Sequence, residues 1–149
     1  MRKTAKDMDQ LIRVNQWGVD ERQRELGVLI AREEELIAQG HALDNELAKE
    51  QAIAAEDPTA AGFLYGGFAL GYRLRKEQLR QLLHGVRLEI EAARERLAEA
   101  YRQLKVYEEV QKERARREAQ EEAQREQQVM DEIGMTQFRR RRAREAGEE

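Results

Sequence analysis

Two long stretches of the chain repeat apolar residues at alternating steps of four and three positions. The first repeat runs from Met8 to Leu47, and Ile30 and Ile37 broaden it. Polar or small residues interrupt it at Asn15, Arg22, Glu33 and Gly40. The second repeat is more regular and consists of Leu79, Leu83, Val86, Ile90, Ala93, Leu97, Ala100, Leu104 and Tyr107. Because this spacing places its members on one face of an α-helix, the pattern predicts two amphipathic helices with coiled-coil seams.

The residues that break helices are concentrated in one segment, AEDPTAAGFLYGG (residues 55–67). It contains the only proline, Pro58, which lacks a backbone N–H and clashes with the preceding helical turn. Proline also biases Asp57 away from helical backbone angles. A break at this point lets the second helix fold back along the first as an antiparallel αα-hairpin.

The lengths of the two seams agree with such a hairpin. If Ala55 and Gly62 face each other, residue i lies opposite roughly residue 117 − i, and both seams end together near Met8 and Glu109. The rest of helix 2 is then an overhang with few large apolar residues, which we expect to fray or to be ordered by a partner.

The expected fold is therefore all-α, a long antiparallel two-helix coiled-coil hairpin with an overhanging C-terminal helix. We expect a single domain over residues 1–149 that is monomeric when isolated. The expected bounds are about 6–56 for helix 1, about 57–62 for the corner, about 63–133 for helix 2 and 134–149 for a basic tail.

Composition narrows the class of protein. Charged residues make up 38% of the 149 residues and aromatic residues 5%, which fits a disordered chain or long helices, and the phased seams favour helices. Cysteine is absent, which excludes disulfides and thiolate metal sites. No apolar run approaches about 18 residues, and the start MRKTAKDMDQ has no secretory core, so we expect a cytoplasmic protein without membrane insertion. The net charge of −3 argues against nucleic-acid binding.

The residues needed for catalysis or cofactor binding do not form recognisable patterns. His41 and His84 are the only histidines, and neither has a second histidine three or four positions away. The glycine-rich segment GFLYGGFALG lacks the Lys-Ser/Thr ending of a phosphate-binding loop and a preceding strand. Serine is absent, and a pair of helices offers no ligand-sized cavity. We therefore expect no enzymatic activity, no cofactor and no metal.

Trp17 is the first candidate for a protein-binding residue. It is the only tryptophan and falls on the outer face of helix 1, opposite the seam, with Leu11 and Val14 partly beside it. The ring either contacts a partner or wraps against the helix pair. A tryptophan that anchors a small apolar patch is typical of binding hot spots, which favours partner contact.

Most of the few aromatic residues gather just after the corner, namely Phe63, Tyr65, Phe68 and Tyr72. They either pack the end of the hairpin or form an exposed tip that docks into an apolar groove.

A short apolar group returns near the C-terminus, in Val129, Met130, Ile133 and Met135. Docking of Met130 and Ile133 onto another protein is the preferred interpretation, since a random frayed end rarely regains apolar character. The block FRRRRAR (residues 138–144), which includes Arg139 and Arg140, suits acidic proteins, anionic lipid and nucleic acid alike.

Three segments carry a resemblance to a known family. They are LIRVNQWGVDERQRELGVLIAREEEL (residues 11–36), GFLYGGFALGYRLRKEQL (residues 62–79) and QQVMDEIGMTQFRRRR (residues 127–142). Their order, their spacing, the chain length and the corner position together resemble the flagellar FliJ family, small proteins of the flagellar type III export apparatus.

The resemblance implies an antiparallel coiled coil similar to the rotor stalk of rotary ATPases. It implies a place in the centre of the hexameric export ATPase (FliI), contact with the export gate protein FlhA, and a role as a general export chaperone that recycles other export chaperones. It further implies a peripheral location at the inner face of the cell membrane. The family's gate contact corresponds most closely to Phe68, Tyr72, Arg75 and Leu79. In the hairpin register Tyr72 and Leu79 lean towards the seam, whereas Phe68 and Arg75 lie nearer its edge.

Other functions stay open at this point. One alternative is the equivalent stalk of a virulence-type III secretion system. Another is a structural coiled-coil adaptor that self-assembles into longer bundles, although Pro58 and the matched seam lengths favour an intramolecular hairpin.

Overall fold

The fold was obtained as a computed structural model that describes residues 2–59 and 61–147, with the side chains of residues 2–5, 61 and 63 outside that description. It contains two α-helices, α1 (Arg2–Glu56) and α2 (Ala61–Gly147). The described residues contain no strand. The prediction of an all-α chain built from two long helices is confirmed.

The corner between the helices lies at the only proline. The last backbone hydrogen bond of α1 at this end runs from the Asp57 N–H to the Ile53 carbonyl at 3.4 Å. Pro58 follows directly and has no N–H with which to continue the series. The Thr59 hydroxyl donates to the Asp57 carboxylate at 3.1 Å within the turn. The described part of the corner thus consists of residues 57–59, and α2 begins at Ala61, two positions before the expected start at about residue 63.

Both helices extend beyond the expected bounds. α2 continues through the segment expected to be a basic tail and ends at Gly147 instead of about Ile133, and α1 begins at Arg2 instead of about residue 6. The expectation relied on the loss of the seam, but a helix does not need a seam to propagate. Residues after Gly134 are mostly Arg, Gln, Met and Ala, which favour helices, and proline is absent there.

The chain divides into two compact units, a hairpin unit (Arg13–Gln103) and a terminal unit (Met1–Ile12 with Leu104–Glu149). The core of the hairpin unit consists of Val19, Leu36, Ile90 and Ala93, with exposed fractions of 4%, 2%, 4% and 1%. All four belong to the predicted seams. The single-domain organisation stays a prediction.

Polar side chains fix the register of the two helices in the hairpin unit. The bridges are Gln51–Tyr65 (3.0 Å), Asp44–Tyr72 (2.5 Å), Asp44–Lys76 (2.9 Å), Glu33–Arg87 (3.3 Å) and Gln23–Tyr101 (3.3 Å). The residue numbers of each pair add to 116, 116, 120, 120 and 124 in that order. The helices therefore run antiparallel. The first four pairs lie within about one helical turn of the expected register of 117 − i, and Gln23–Tyr101 lies about two turns from it.

In the terminal unit, Ile12 and Leu104 are buried, and the Gln111 amide donates to the Asp9 carboxylate. Every side chain from residue 112 to residue 147 is exposed, and this segment is called the arm below. Fraying or ordering by a partner was expected here, whereas the arm is helical throughout. Its helix is supported by ion pairs one turn apart, such as Glu113 with Arg116 at 2.8 Å.

Candidate protein-binding surfaces

The described residues contain no arrangement suited to a metal. No group of three or more His, Cys, Asp or Glu side chains in that part of the chain could hold a metal ion. None of the polar or charged side chains described is buried, so every described ionisable group is open to solvent at least in part. Within residues 2–59 and 61–147, neither helix has a stretch long and apolar enough to span a membrane.

Trp17 lies on the outer face of α1, as its register predicts. The ring is 65% exposed, and Val14, one turn earlier on the same face, is 64% exposed. The alternative in which the ring wraps against the helix pair does not fit this exposure. The structure thus leaves an apolar anchor of the hot-spot type in contact with solvent.

The four positions predicted for the gate contact divide into two kinds. Phe68, Tyr72 and Leu79 are half-buried, whereas Arg75 is exposed. Phe68 is therefore less available as a docking tip than its place at the seam edge suggested. The side chain of Phe63, another residue of the aromatic group, lies outside the described residues.

Tyr72 is engaged within the hairpin unit. Its hydroxyl donates to the Asp44 carboxylate at 2.5 Å, and the Lys76 ammonium lies 2.9 Å from the same oxygen. The hydrogen bond to Asp44 raises the pKa of Tyr72 above its ordinary value. The hydrogen bonds from Tyr72 and then Lys76 lower the pKa of Asp44. This cluster was not predicted, although Lys76 lies in line with the seam, seven positions before Leu83, and is a detectable signal in the sequence.

Arg75 and Leu79 line the same groove between the two helices. The groove has a volume of about 400 Å³ and is lined by Gln39, Ala42, Leu43, Glu46, Arg75, Gln78, Leu79 and Leu82. Leu82, at its margin, is 52% exposed. An apolar floor with charged and amide groups at the rim suits an apolar side chain of a protein partner. Phe68 and Tyr72 do not line this groove.

The solvent side of α2 carries exposed leucines that sequence analysis did not single out. Leu70, Leu74 and Leu88 are 61%, 60% and 59% exposed. Leu70 and Leu74 are four positions apart, and Leu88 follows Leu74 by fourteen positions, so the three leucines recur on one side of the helix, which is the sequence signal that marks it.

The end of the arm joins apolar side chains to arginines. Met130 and Ile133 are 69% and 50% exposed, and Phe138 is 63% exposed. The Arg142 guanidinium lies over the Phe138 ring, 6.0 Å from its centre. Arg139 and Arg140, the other predicted site residues here, are exposed on the same helix.

The family model described as "Flagellar FliJ protein" matches residues 4–143. The chain belongs to the FliJ family. The match covers nearly the whole sequence and includes every candidate residue from Trp17 to Arg140. No curated protein and no solved structure matches the chain significantly.

Family membership gives this FliJ protein a general role. It is a flagellar export-related protein associated with the flagellar export apparatus, and this favours the flagellar over the virulence-type system. The surfaces described above are then candidate contacts with other parts of that apparatus.

Proposed function

We propose that this FliJ protein is the non-enzymatic stalk of the flagellar export ATPase, couples that ATPase to the export gate, and acts as a general export chaperone. The observation that carries the proposal is the arm, a helix whose side chains are all exposed and which ends in an apolar and arginine-rich segment. In this role the protein works in the cytoplasm, peripheral to the inner face of the cell membrane.

The arm is assigned to the FliI-type ATPase hexamer. The side chains of the arm are all exposed, so its helix is stabilised by the helix propensity of its residues and by ion pairs such as Glu113–Arg116. Packing within the chain therefore does not account for the apolar residues at its end. Met130 and Ile133 lie three positions apart on one face and suit an apolar recess. Arg139 and Arg140 follow within two further turns and suit acidic groups at its rim.

The groove with Arg75 and Leu79 is assigned to the FlhA-type gate protein. It lies between α1 and α2 in the hairpin unit and joins an apolar floor to an exposed guanidinium. Phe68, seven positions before Arg75 on α2, is half-buried and does not line the groove. Tyr72 is bonded to Asp44, so its contribution is to hold the register of the hairpin.

The Trp17 surface is assigned to the export chaperones, which form the third class of partner. It is on α1 alone, whereas the groove lies between α1 and α2 and the arm belongs to α2. Exposed apolar surface of this kind suits transient contacts with several partners.

Removal of residues 112–149 tests the ATPase contact. We expect the truncated protein to keep the helical hairpin, because the arm adds no buried side chain to it, and to lose binding to the ATPase. Pull-down with the ATPase and circular dichroism are the measurements. The double substitution Met130→Gln with Ile133→Gln in the full chain should weaken binding about tenfold or more.

Val28→Gln is the matched control for the arm, since Val28 is 69% exposed on α1. Undiminished ATPase binding after removal of the arm would show that the stalk contact lies elsewhere.

Arg75→Glu tests the gate contact more cleanly than Phe68→Ala, because Arg75 is exposed and Phe68 is half-buried. We expect Arg75→Glu to weaken binding to the gate protein about tenfold or more while the melting temperature stays unchanged. Arg73→Glu changes the same charge at another exposed position of the same helix and should leave gate binding intact. Equal effects of the two substitutions would mean that net charge, and not the groove, governs the contact.

A further inference from the structure

One face of α2 carries no charge over almost seven helical turns. At steps of four and three its residues are Gly67, Gly71, Leu74, Gln78, Gln81, Gly85, Leu88 and Ala92. They form the uncharged face, on the solvent side of the helix in the hairpin unit. In a chain in which 38% of the residues are charged, a solvent-facing row of this length without one charge is unexpected.

Packing within the described part of the chain does not explain the glycines of this face. A Cβ atom built at Gly67, Gly71 or Gly85 would meet no atom within 4 Å beyond the local helix backbone. Glycine inside a helix is less favourable than alanine, because it loses more conformational freedom on folding. A benefit outside the chain, such as the close approach of another helix, would offset that cost.

The leucines of the same face are exposed to solvent. Leu74 and Leu88 are 60% and 59% exposed, and each follows a glycine of the face by three positions, about one turn. Each leucine therefore has a small residue next to it on the face, and a small position beside a large one is what interdigitating helices need.

The face is complementary to itself when two copies run antiparallel. If a two-fold axis passes between residues 79 and 80, the opposing pairs are Gly67–Ala92, Gly71–Leu88, Leu74–Gly85 and Gln78–Gln81. The two residue numbers of each pair add to 159, so one axis accounts for all four. Each leucine meets a glycine, and the two amides meet each other. Such mutual pairing is the property of an interface shared by two identical chains.

We propose that the uncharged face is the interface through which two copies of this protein pair in an antiparallel dimer. The face is about 38 Å long at about 1.5 Å per residue and about 10 Å wide. The area of a strip of this length and width is smaller than the roughly 800 Å² that each partner buries in a standard stable interface. The dimer is therefore weak, and the protein is monomeric in dilute solution and pairs where it is locally concentrated.

Sedimentation equilibrium of the full chain tests the pairing. Between about 10 µM and about 500 µM the average mass should rise from that of a monomer towards that of a dimer. Leu74→Gln should weaken association about tenfold or more. A monomer over the whole range would overturn the proposal, whichever other partner the face has.

Gly85→Ala separates pairing from folding, because its two expected effects have opposite signs. Apart from the adjoining residues and the local helix backbone, no atom lies within 4 Å of a Cβ built at Gly85, so alanine should raise the melting temperature of the monomer through its higher helix propensity. In the dimer the added methyl meets Leu74 of the second copy, so association should weaken. Gly27→Ala on α1 is the matched control, with the same free space and no place in the face. Equal effects of both substitutions on association would overturn the assignment.

Cross-linking tests the register, since the chain has no cysteine of its own. Full-length Gly67→Cys and Ala92→Cys variants are mixed and oxidised. Antiparallel pairing about the stated axis should give disulfides between the two variants well above those within either variant alone. A predominance of disulfides between identical variants would show another orientation and overturn the proposed pairing.

Discussion

Leu36→Ala should destabilise the hairpin unit strongly, since Leu36 is 2% exposed in the middle of α1. Leucine-to-alanine changes in protein cores cost about 2–5 kcal/mol. Leu36 lines a cavity of about 270 Å³ that opens to solvent, together with Leu79 and Leu83. The space left by the substitution can therefore be filled partly by neighbouring side chains and water. We expect a loss near the lower end of that range, about 2–3 kcal/mol.

Urea unfolding followed by circular dichroism at 222 nm measures this loss. With a slope of about 1.5 kcal/mol per molar urea, the midpoint should fall by about 1.5 M. Val28→Ala is the control on the same helix, because Val28 is 69% exposed and its truncation should change the stability by less than about 0.5 kcal/mol.

A midpoint for Leu36→Ala that stays within about 0.3 M of the Val28→Ala value would refute the seam as the main source of stability. The same result would also remove the reason for treating the four-three repeat as an intramolecular interface.

Asp44→Asn should lower the stability of the hairpin at neutral pH. Because the folded state lowers the pKa of Asp44, chiefly through Tyr72, the contribution of the carboxylate is present above its ordinary pKa of 3.8 and is lost as the pH falls through the lower folded value. Urea midpoints of native protein and variant should therefore differ at pH 7, and the difference should shrink as the pH falls below 3.8. A difference that stays constant with pH would contradict this reasoning. Amide hydrogen exchange should be much faster in the arm than at Ile90, which is 4% exposed, and about 1 M salt should accelerate it further in the arm by screening pairs such as Glu113–Arg116. Equal protection of the arm and the seam would indicate tertiary contacts that the arm lacks in this structure.

The sequence alone determined which residues form the core and where the chain turns. Val19, Leu36, Ile90 and Ala93 are buried, as the repeat predicts, because helix geometry places steps of four and three on one face whatever the partner. Pro58 set the end of α1 through its missing N–H, which is a covalent property of the residue. The outward position of Trp17 followed from the same geometry.

Tertiary structure decided the features that depend on the facing helix. Asp44 accepts a hydrogen bond from Tyr72 and forms an ion pair with Lys76. In the resulting register Phe68 is half-buried and Arg75 is exposed at the groove. Periodicity fixes which face of a helix is buried, but sliding one helix along the other by a turn preserves that face. The choice between such registers rests on particular polar contacts and on the sizes of opposing side chains, so it is made only when the two helices meet.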